Sequence, residues 1–211
     1  MEDIYWASAR KSPETFNGLP PQPPQSPAGA DKNNIVESVN NKVYFYSEVT
    51  RPKIMVLNKT LTNLNTNLIN QANLLNKDLD SNIFLHINSF GGSVFAGLSA
   101  MDYIKSSSVP VITCVEGCAA SAATLMSVVG THRVIRKNSF MLIHQLSSGM
   151  WGKYEEMKDA MENNDLFMRI ITDVYEEHTK IPKRKLKEIL KRDLWLDAET
   201  CLDYGMVDEI V

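Results

Sequence analysis

The segment "NIFLHINSFGGSVFAGLSAMDYIKS" (residues 82–106) decides the fold class. Its first seven residues are a short apolar run, which is typical of a buried strand. Two glycines, Gly91 and Gly92, end that run, and a helical pattern follows through residue 106. The order recurs in residues 109–130, where we expect a strand over 109–117 and then a helix opened by small residues. Repeated strand–helix units predict an α/β domain with a mainly parallel sheet.

Outward from this segment, the pattern continues on both sides. "KVYFYSEV" (from Lys42) is aromatic and β-branched, as strands are, and "HRVIRKNSFMLIHQ" predicts two short strands around a turn. The remaining predicted elements are a leucine-spaced helix to about residue 75, a long helix over 153–178, a helix from 182 to about 193, a helix between 197 and 205, and a closing strand in "MVDEIV".

The composition bounds the class of protein. A chain of 211 residues with 44% hydrophobic content can bury one sizeable core. A net charge of -3 favours neither nucleic acid nor an anionic membrane as a partner. No run approaches the roughly 18 apolar residues of a membrane span. The N-terminus does not have the pattern of a secretory signal. We therefore expect a cytoplasmic protein with no membrane or nucleic-acid partner.

The cysteines and prolines give two further expectations. Cys114, Cys118 and Cys201 form no CxxC motif, so we expect buried small hydrophobes and no metal site. Six of the nine prolines lie between Pro13 and Pro27. Such composition favours extended, unpacked chain. Residues 1–38 are therefore predicted to be a flexible arm or pro-segment, and residues 39–211 the folded domain.

A serine nucleophile is one interpretation of "VEGCAAS", which ends at Ser121. A serine hydroxyl needs a base, a group that orients the base, and backbone N–H donors for the developing oxyanion. Gly91 and Gly92 would let a backbone approach a substrate closely. The plainer readings are helix-start packing for Ser121 and an ordinary turn for the two glycines, and the residues alone leave both open.

Candidates for base and orienter occur further along the chain. His144 lies near the end of the apolar run "FMLIHQ", so a buried strand would place its polar side chain at the strand end. Asp193 follows the predicted helix in "LKRDLWL", where a helix C-terminus disfavours negative charge. A structural histidine, and an Asp193 ion pair with Arg192 or a nearby lysine, remain the alternatives.

Taken together, these segments resemble the proteolytic subunit of the Clp protease, a self-compartmentalised serine peptidase. "FLHINSFGGSVFAGLSAMDYIK" is similar to the family's strand, Gly-Gly loop and helix, "GCAAS" to its nucleophile motif and "FMLIHQ" to its histidine motif. "LKRDLWLDAETCLDYGMVDEIV" resembles its C-terminal block, and the resemblance spans residues 42–211. It implies superhelical β-β-α repeats of the ClpP/crotonase type, with a protruding handle helix and strand at about residues 147–178.

The resemblance also implies residue roles. Ser121 would be the nucleophile, His144 the base and Asp193 the orienter, with backbone N–H groups of Gly92 and Ala122 forming the oxyanion hole. The residues expected to flank the substrate are Gly91, Ser93, Val94, Ser147, Ser148, Gly149 and Met150.

Assembly and partners are implied in the same way. Family members form two stacked heptameric rings, a tetradecamer that encloses the active sites. An AAA+ unfoldase of the ClpX, ClpA or ClpC kind feeds in unfolded proteins and uses the ATP, so the chain itself is expected to bind no cofactor and no metal.

Several departures from the family pattern bear on these expectations. Phe90 and Leu146 stand where relatives carry proline, and Ala122 replaces a common methionine. His86, Ser106 and Arg136 fall where relatives line the ATPase-docking pocket with apolar side chains. A non-catalytic ring subunit is therefore one alternative. An acyl-CoA enzyme of the crotonase type, whose general acids and bases are typically glutamates, is another.

Overall fold

The computed structural model describes residues 35–76, 78, 81–149 and 151–211. Most of the predicted arm, residues 1–34, and the predicted substrate-flanking Met150 lie outside the described residues. In chain order the described elements are β1 (Ile35–Val39), β2 (Lys42–Tyr46), α1 (Arg51–Leu74), β3 (Ile83–Ser89), α2 (Val94–Ser106), β4 (Val111–Ala120), α3 (Ala122–Ser127), β5 (His132–Ile135), β6 (Phe140–Leu142), α4 (Tyr154–His178), α5 (Lys183–Ile189), α6 (Ala198–Asp203) and β7 (Glu209–Ile210).

One sheet organises these elements, with strand order β1-β2-β3-β4-β5-β7 and β6 paired to the end of β4. Only the β1–β2 pair is antiparallel among the paired strands of the described chain. The predicted mainly parallel α/β architecture is therefore confirmed. Parallel strands need crossover helices, and α1, α2 and α3 supply them between β2, β3, β4 and β5.

The first strand begins earlier than the expected domain start at residue 39. β1 pairs with β2 from Ile35 opposite Tyr46 to Val39 opposite Lys42. The hairpin turn between them is Asn40–Asn41, and Asn40 has a φ of 55°. Asparagine tolerates this left-handed conformation, so an Asn-Asn pair between two strands is a turn signal that the sequence analysis did not use.

The small residues before Ser121 lie in a strand, whereas we expected them to open a helix. β4 continues through Ala120, and α3 begins only at Ala122. β4 has a partner on each side here, because Ala119 pairs with Ser89 of β3 and with Met141 of β6. Two flanking strands use the hydrogen-bonding groups of this backbone, and that outweighs the helix propensity of alanine.

The helix before Asp193 is shorter than predicted. α5 ends at Ile189, not near Asp193. The amide of Gln145 donates to the carbonyl of Leu190 at 2.6 Å, and the amide of Arg192 turns back to Ile189 at 2.9 Å. Because Gln145 takes the Leu190 carbonyl, the helix does not continue, and Asp193 lies beyond a turn that follows α5. The helix-dipole argument for Asp193 is therefore wrong.

The helix of the predicted handle is α4. Ile171, Val174 and Tyr175 near its C-terminal end are its buried residues, while most of its earlier turns are exposed. The described residues between 143 and 153 form no strand. A strand requires a hydrogen-bonded neighbour, and these residues pair with no strand in the described chain, so the expected handle strand is not formed here.

No helix in the described ranges is both long enough and apolar enough to span a bilayer.

Helix α4 is tied to α3 by a buried hydroxyl pair. The Thr124 hydroxyl donates to the carbonyl of Ser121 at 2.6 Å and lies 2.6 Å from the fully buried Tyr175 hydroxyl. A threonine hydroxyl has one hydrogen, so Tyr175 must be the donor to Thr124. Burial raises the pKa of Tyr175 above its usual value, which keeps this donor protonated. The pair therefore fixes the backbone of Ser121 from the side of α4.

We predict that Thr124→Val destabilises the protein more than Tyr175→Phe does. Tyr175→Phe removes one hydrogen bond and should lower the free energy of unfolding by about 1 kcal/mol. Thr124→Val also leaves the buried Tyr175 hydroxyl without an acceptor, so a loss of about 2–3 kcal/mol is expected. Urea unfolding at fixed protein concentration measures both, with exposed Tyr103→Phe as control. Equal losses, or the reverse order, would contradict the assigned donor.

Candidate active site

Ser121 occupies the sharp turn between β4 and α3. Its φ of 59° and ψ of −131° are strained for a residue with a side chain. The turn is held on both sides: the Ser121 amide donates to the Leu142 carbonyl of β6 at 2.8 Å, and its carbonyl accepts from the Thr124 amide at 2.9 Å. Nucleophilic serines of other hydrolases sit on strained strand-to-helix turns of this kind.

The glycine loop after β3 lies directly against Ser121. A Cβ at Gly91 would be 2.6 Å from both the Ala120 carbonyl oxygen and the Ser121 Cβ. A Cβ at Gly92 would be 2.5 Å from the carbonyl oxygen of Val49. Both residues have positive φ, 95° and 146°. Only glycine fits these two positions, because the backbone of each lies directly against another part of the chain.

The same loop leaves one amide available. Val49 donates to the Gly91 carbonyl and accepts from the Ser93 amide, each at 2.8 Å. This parallel bridge uses the groups of Gly91 and Ser93, so the N–H of Gly92 points away from Val49. The N–H of Ala122 starts α3, where an amide has no acceptor within its own helix. The structure thus brings Gly91, Gly92 and Ala122 around Ser121.

His144 and Asp193 come together from separate segments. His144 stands two residues beyond the end of β6, and its side chain is almost fully buried. Its Nδ1 lies 3.4 Å from Asp193 Oδ1, longer than an ordinary N–H···O hydrogen bond. The Asp193 carboxylate is 58% exposed. Leu196 anchors the Asp193 segment through backbone hydrogen bonds of 2.9 and 2.7 Å with Met141.

The protonation of His144 follows from its burial. Desolvation lowers the pKa of His144, while the Asp193 charge and a backbone hydrogen bond with Gln145 raise it in part. The net shift is downward, so the imidazole is neutral at neutral pH. A neutral imidazole next to a carboxylate can accept a proton, as a general base must.

The other predicted flanking residues lie in two places. Ser93 caps α2 by accepting from the Ala96 amide at 3.4 Å, and Val94 is buried at the start of that helix. Ser147, Ser148 and Gly149 lie in the segment between His144 and α4, where Asn164 donates to the Ser148 hydroxyl at 2.7 Å. That segment is thus joined to the handle helix.

Two aromatic residues beside the site were missed as contributors. Phe90 is 76% exposed, and its ring meets that of Trp195 edge to face at 6.3 Å. Together with Cys118 and Phe140 they line a cavity of about 490 Å³. Phe90 comes directly before Gly91, and Trp195 comes two residues after Asp193. The contact between the two rings therefore links the glycine loop to the Asp193 segment. Aromatic residues next to two separate motifs are the signal that could have revealed it.

Comparisons with known proteins identify one family to which this chain is similar. The family model described as Clp protease matches residues 37–211. The ATP-dependent Clp protease proteolytic subunit of Deinococcus radiodurans is 28% identical over 170 residues, which cover 79% of this chain and 83% of that protein. Proteolytic subunit 1 of Streptomyces coelicolor is 30% identical over 188 residues, covering 88% and 85%.

Among solved structures, a ClpP1 mutant from Listeria monocytogenes matches with a TM-score of 0.69 and 25% identity, covering 82% of this chain and 91% of that one. This likeness confirms the ClpP-type α/β fold that the sequence predicted. With the family match extending over most of the chain, it establishes that the chain belongs to the Clp protease family.

Proposed function

We propose that this chain is a serine endopeptidase subunit of an ATP-dependent Clp-type protease, hydrolysing peptide bonds of unfolded proteins and peptides. The observation that supports this most strongly is the arrangement at the end of β4. Ser121 lies on a strained turn against Gly91, and the backbone of that turn is bonded to β6, the strand that leads to the His144–Asp193 pair. Membership of the Clp protease family supports the reaction class.

The first half of the reaction forms an acyl-enzyme. The Ser121 hydroxyl attacks the scissile carbonyl carbon while its proton passes to His144, and Asp193 stabilises the resulting imidazolium. The carbonyl oxygen becomes an oxyanion that accepts hydrogen bonds from the amides of Gly92 and Ala122. His144 then gives the proton to the leaving amine as the C–N bond breaks.

Water completes the cycle. It attacks the acyl-enzyme with His144 again as base, and the Ser121 oxygen leaves with the returned proton. The absence of side chains at Gly91 and Gly92 lets the carbonyl come within bonding distance of Ser121. The segment with Ser147, Ser148 and Gly149 would lie along the peptide and hold it in extended form.

The proposal also includes assembly of the chain into rings and coupling of proteolysis to a partner ATPase. The chain would form two stacked heptameric rings in the cytoplasm, and an AAA+ ATPase would unfold substrates and feed them in. The names of the relatives from Deinococcus radiodurans and Streptomyces coelicolor describe subunits of ATP-dependent proteases, which supports this reading.

We predict that Ser121→Ala abolishes cleavage of a fluorogenic peptide and labelling by a fluorophosphonate without unfolding the protein. Loss of a nucleophile lowers kcat by about 10⁶-fold in serine proteases, which is below detection here. Mass spectrometry of the labelled wild-type chain should place the adduct on Ser121. The matched control is Ser127→Ala, a buried serine on α3, which should still be labelled.

Three results would contradict the assignment. Hydrolysis that survives in Ser121→Ala would remove Ser121 from the mechanism. A folded wild-type protein that is neither labelled nor active, and that enters only mixed rings, would identify a non-catalytic ring subunit. Turnover of acyl-CoA thioesters in place of peptides would favour the crotonase-type alternative.

The pH profile of peptide cleavage should have an acid limb with its midpoint below the ordinary histidine pKa of about 6.5. Burial lowers the pKa of His144, and only the neutral form accepts a proton, so kcat/KM falls when pH drops through the lowered pKa. Asp193→Asn removes the charge that raises this pKa. We expect its midpoint to move to still lower pH while the plateau falls about 10²–10⁴-fold.

The control for this experiment is exposed Asp203→Asn at the end of α6, which should keep the wild-type profile. An Asp193→Asn midpoint that stays in place or rises would contradict the proposed contact with His144.

Assembly is predicted to be separable from catalysis. Native mass spectrometry should find fourteen-subunit particles for both wild type and Ser121→Ala, since the hydroxyl lies inside the chain's own turn. Folded protein substrates should be degraded only with an AAA+ ATPase and ATP. A monomer that cleaves peptides at the full rate would contradict the ring proposal.

A further inference from the structure

A polar cluster lies on the sheet face opposite to the core. Val43, Phe45, Leu85, Ile87 and Val115 point into the core, so the residues that alternate with them point to the other face. On that face the strand pairing sets His86 of β3 directly beside Cys114 of β4, and Glu116 follows two residues later on the same side. The three side chains therefore converge at one point on the sheet.

Their separations are close to those of a metal tetrahedron. His86 Nδ1 lies 3.0 Å and Cys114 Sγ 3.8 Å from the same oxygen of Glu116, Oε1. The three ligand atoms all lie within 4.8 Å of one another. A tetrahedral zinc ion with ordinary bond lengths separates nitrogen from oxygen by ~3.4 Å and sulfur from oxygen by ~3.6 Å. The nitrogen–oxygen and sulfur–oxygen separations in this cluster are thus within a few tenths of an ångström of those in a tetrahedral zinc site.

We propose that His86, Cys114 and Glu116 form a binding site for a divalent transition-metal ion of the zinc class, separate from the peptidase site. One imidazole, one thiolate and one carboxylate are a ligand set that zinc accepts, with the fourth position left for water or another ligand. On binding, the metal–sulfur bond forms as the Cys114 S–H bond breaks, and that proton goes to solvent. The metal–nitrogen bond forms at Nδ1 of His86 as the neutral ring changes tautomer and carries its proton on Nε2.

Neighbouring side chains hold the ligands in place. Tyr46 donates to the other Glu116 oxygen, Oε2, at 2.5 Å, and the Tyr44 ring stacks on His86 with centroids 4.7 Å apart. Partners of this kind orient metal ligands. His86 is only 8% exposed, and its Nε2 is a buried nitrogen with no hydrogen-bond partner in the described part of the chain. Because Nε2 has no hydrogen bond to lose, a change of tautomer that moves the ring proton from Nδ1 to Nε2 breaks no hydrogen bond at Nε2 and leaves Nδ1 able to bind a metal.

Arg136 competes for the same carboxylate. Its guanidinium lies 3.1 Å from Glu116 Oε1, and its side chain is 52% exposed. An ion pair this exposed contributes little, so the guanidinium can move into water when a cation takes its place. If the cluster binds a metal, removal of Arg136 should strengthen that binding. A purely structural cluster predicts no such gain.

The test is a titration of the chelator-treated full chain with Co²⁺, followed by displacement with Zn²⁺. Wild type should bind one ion per chain and develop a thiolate-to-cobalt charge-transfer band. Cys114→Ser should abolish the band, and both Cys114→Ser and His86→Gln should weaken Zn²⁺ binding at least about tenfold. Tyr46→Phe should weaken binding about 10–100-fold, and Arg136→Gln should tighten it up to about fivefold.

The matched control is Cys201→Ser, a buried cysteine that contacts the Leu196 carbonyl and should leave the titration unchanged. Far-UV circular dichroism identifies any variant that fails to fold, and the gain expected for Arg136→Gln does not depend on such a loss. Binding of less than one ion per chain at micromolar Co²⁺ would overturn the proposal. So would a band that survives Cys114→Ser, or weaker binding in Arg136→Gln.

Discussion

The backbone of Gly91 and the side chain of Ser121 approach each other so closely that no side chain fits at residue 91. The rest of the site depends on this contact. It requires the ends of β3 and β4 to lie together, and it requires Val49 to hold the far side of the loop through two backbone hydrogen bonds. The alanines next to Ser121, at positions 119, 120 and 122, are all buried, so small side chains surround this contact. Close packing at this turn and the proposed role of Ser121 as nucleophile are therefore compatible.

Much of the fold could be predicted because its signals are local. The β3–glycine–α2 unit and the long α4 each carry a clear apolar period. Asp197, a residue type common at helix starts, caps α6 by accepting from the Thr200 amide. The end of β4 could not be predicted, since Ala119 and Ala120 have no local reason to be a strand. The strands on either side decide it. The end of α5 likewise depends on Gln145, a residue distant in sequence that takes the carbonyl of Leu190.

In the candidate site, too, the residues in local motifs could be predicted and the contacts between distant segments could not. Ser121, His144, Asp193 and the two glycines each lie in a recognisable motif, so sequence alone could name them. The contact between Phe90 and Trp195 and the cluster around Glu116 depend on strand register. His86 and Glu116 are 30 positions apart, and only the pairing of β3 with β4 brings them together. A one-residue slip would place His86 on the core face.

The left-handed backbone at Ser121 lowers the stability of the fold at the residue to which we assign the proposed chemistry. Glycine would adopt a φ of 59° without strain, so folding alone would favour glycine at this position. The proposed reaction needs a nucleophilic side chain at this position, which glycine lacks. A serine at this position therefore costs conformational strain that a glycine would avoid. Three hydrogen bonds hold this backbone in place: the Ser121 amide donates to the Leu142 carbonyl, and the Ser121 carbonyl accepts from the Thr124 amide and hydroxyl. Tyr175 in turn contacts the Thr124 hydroxyl.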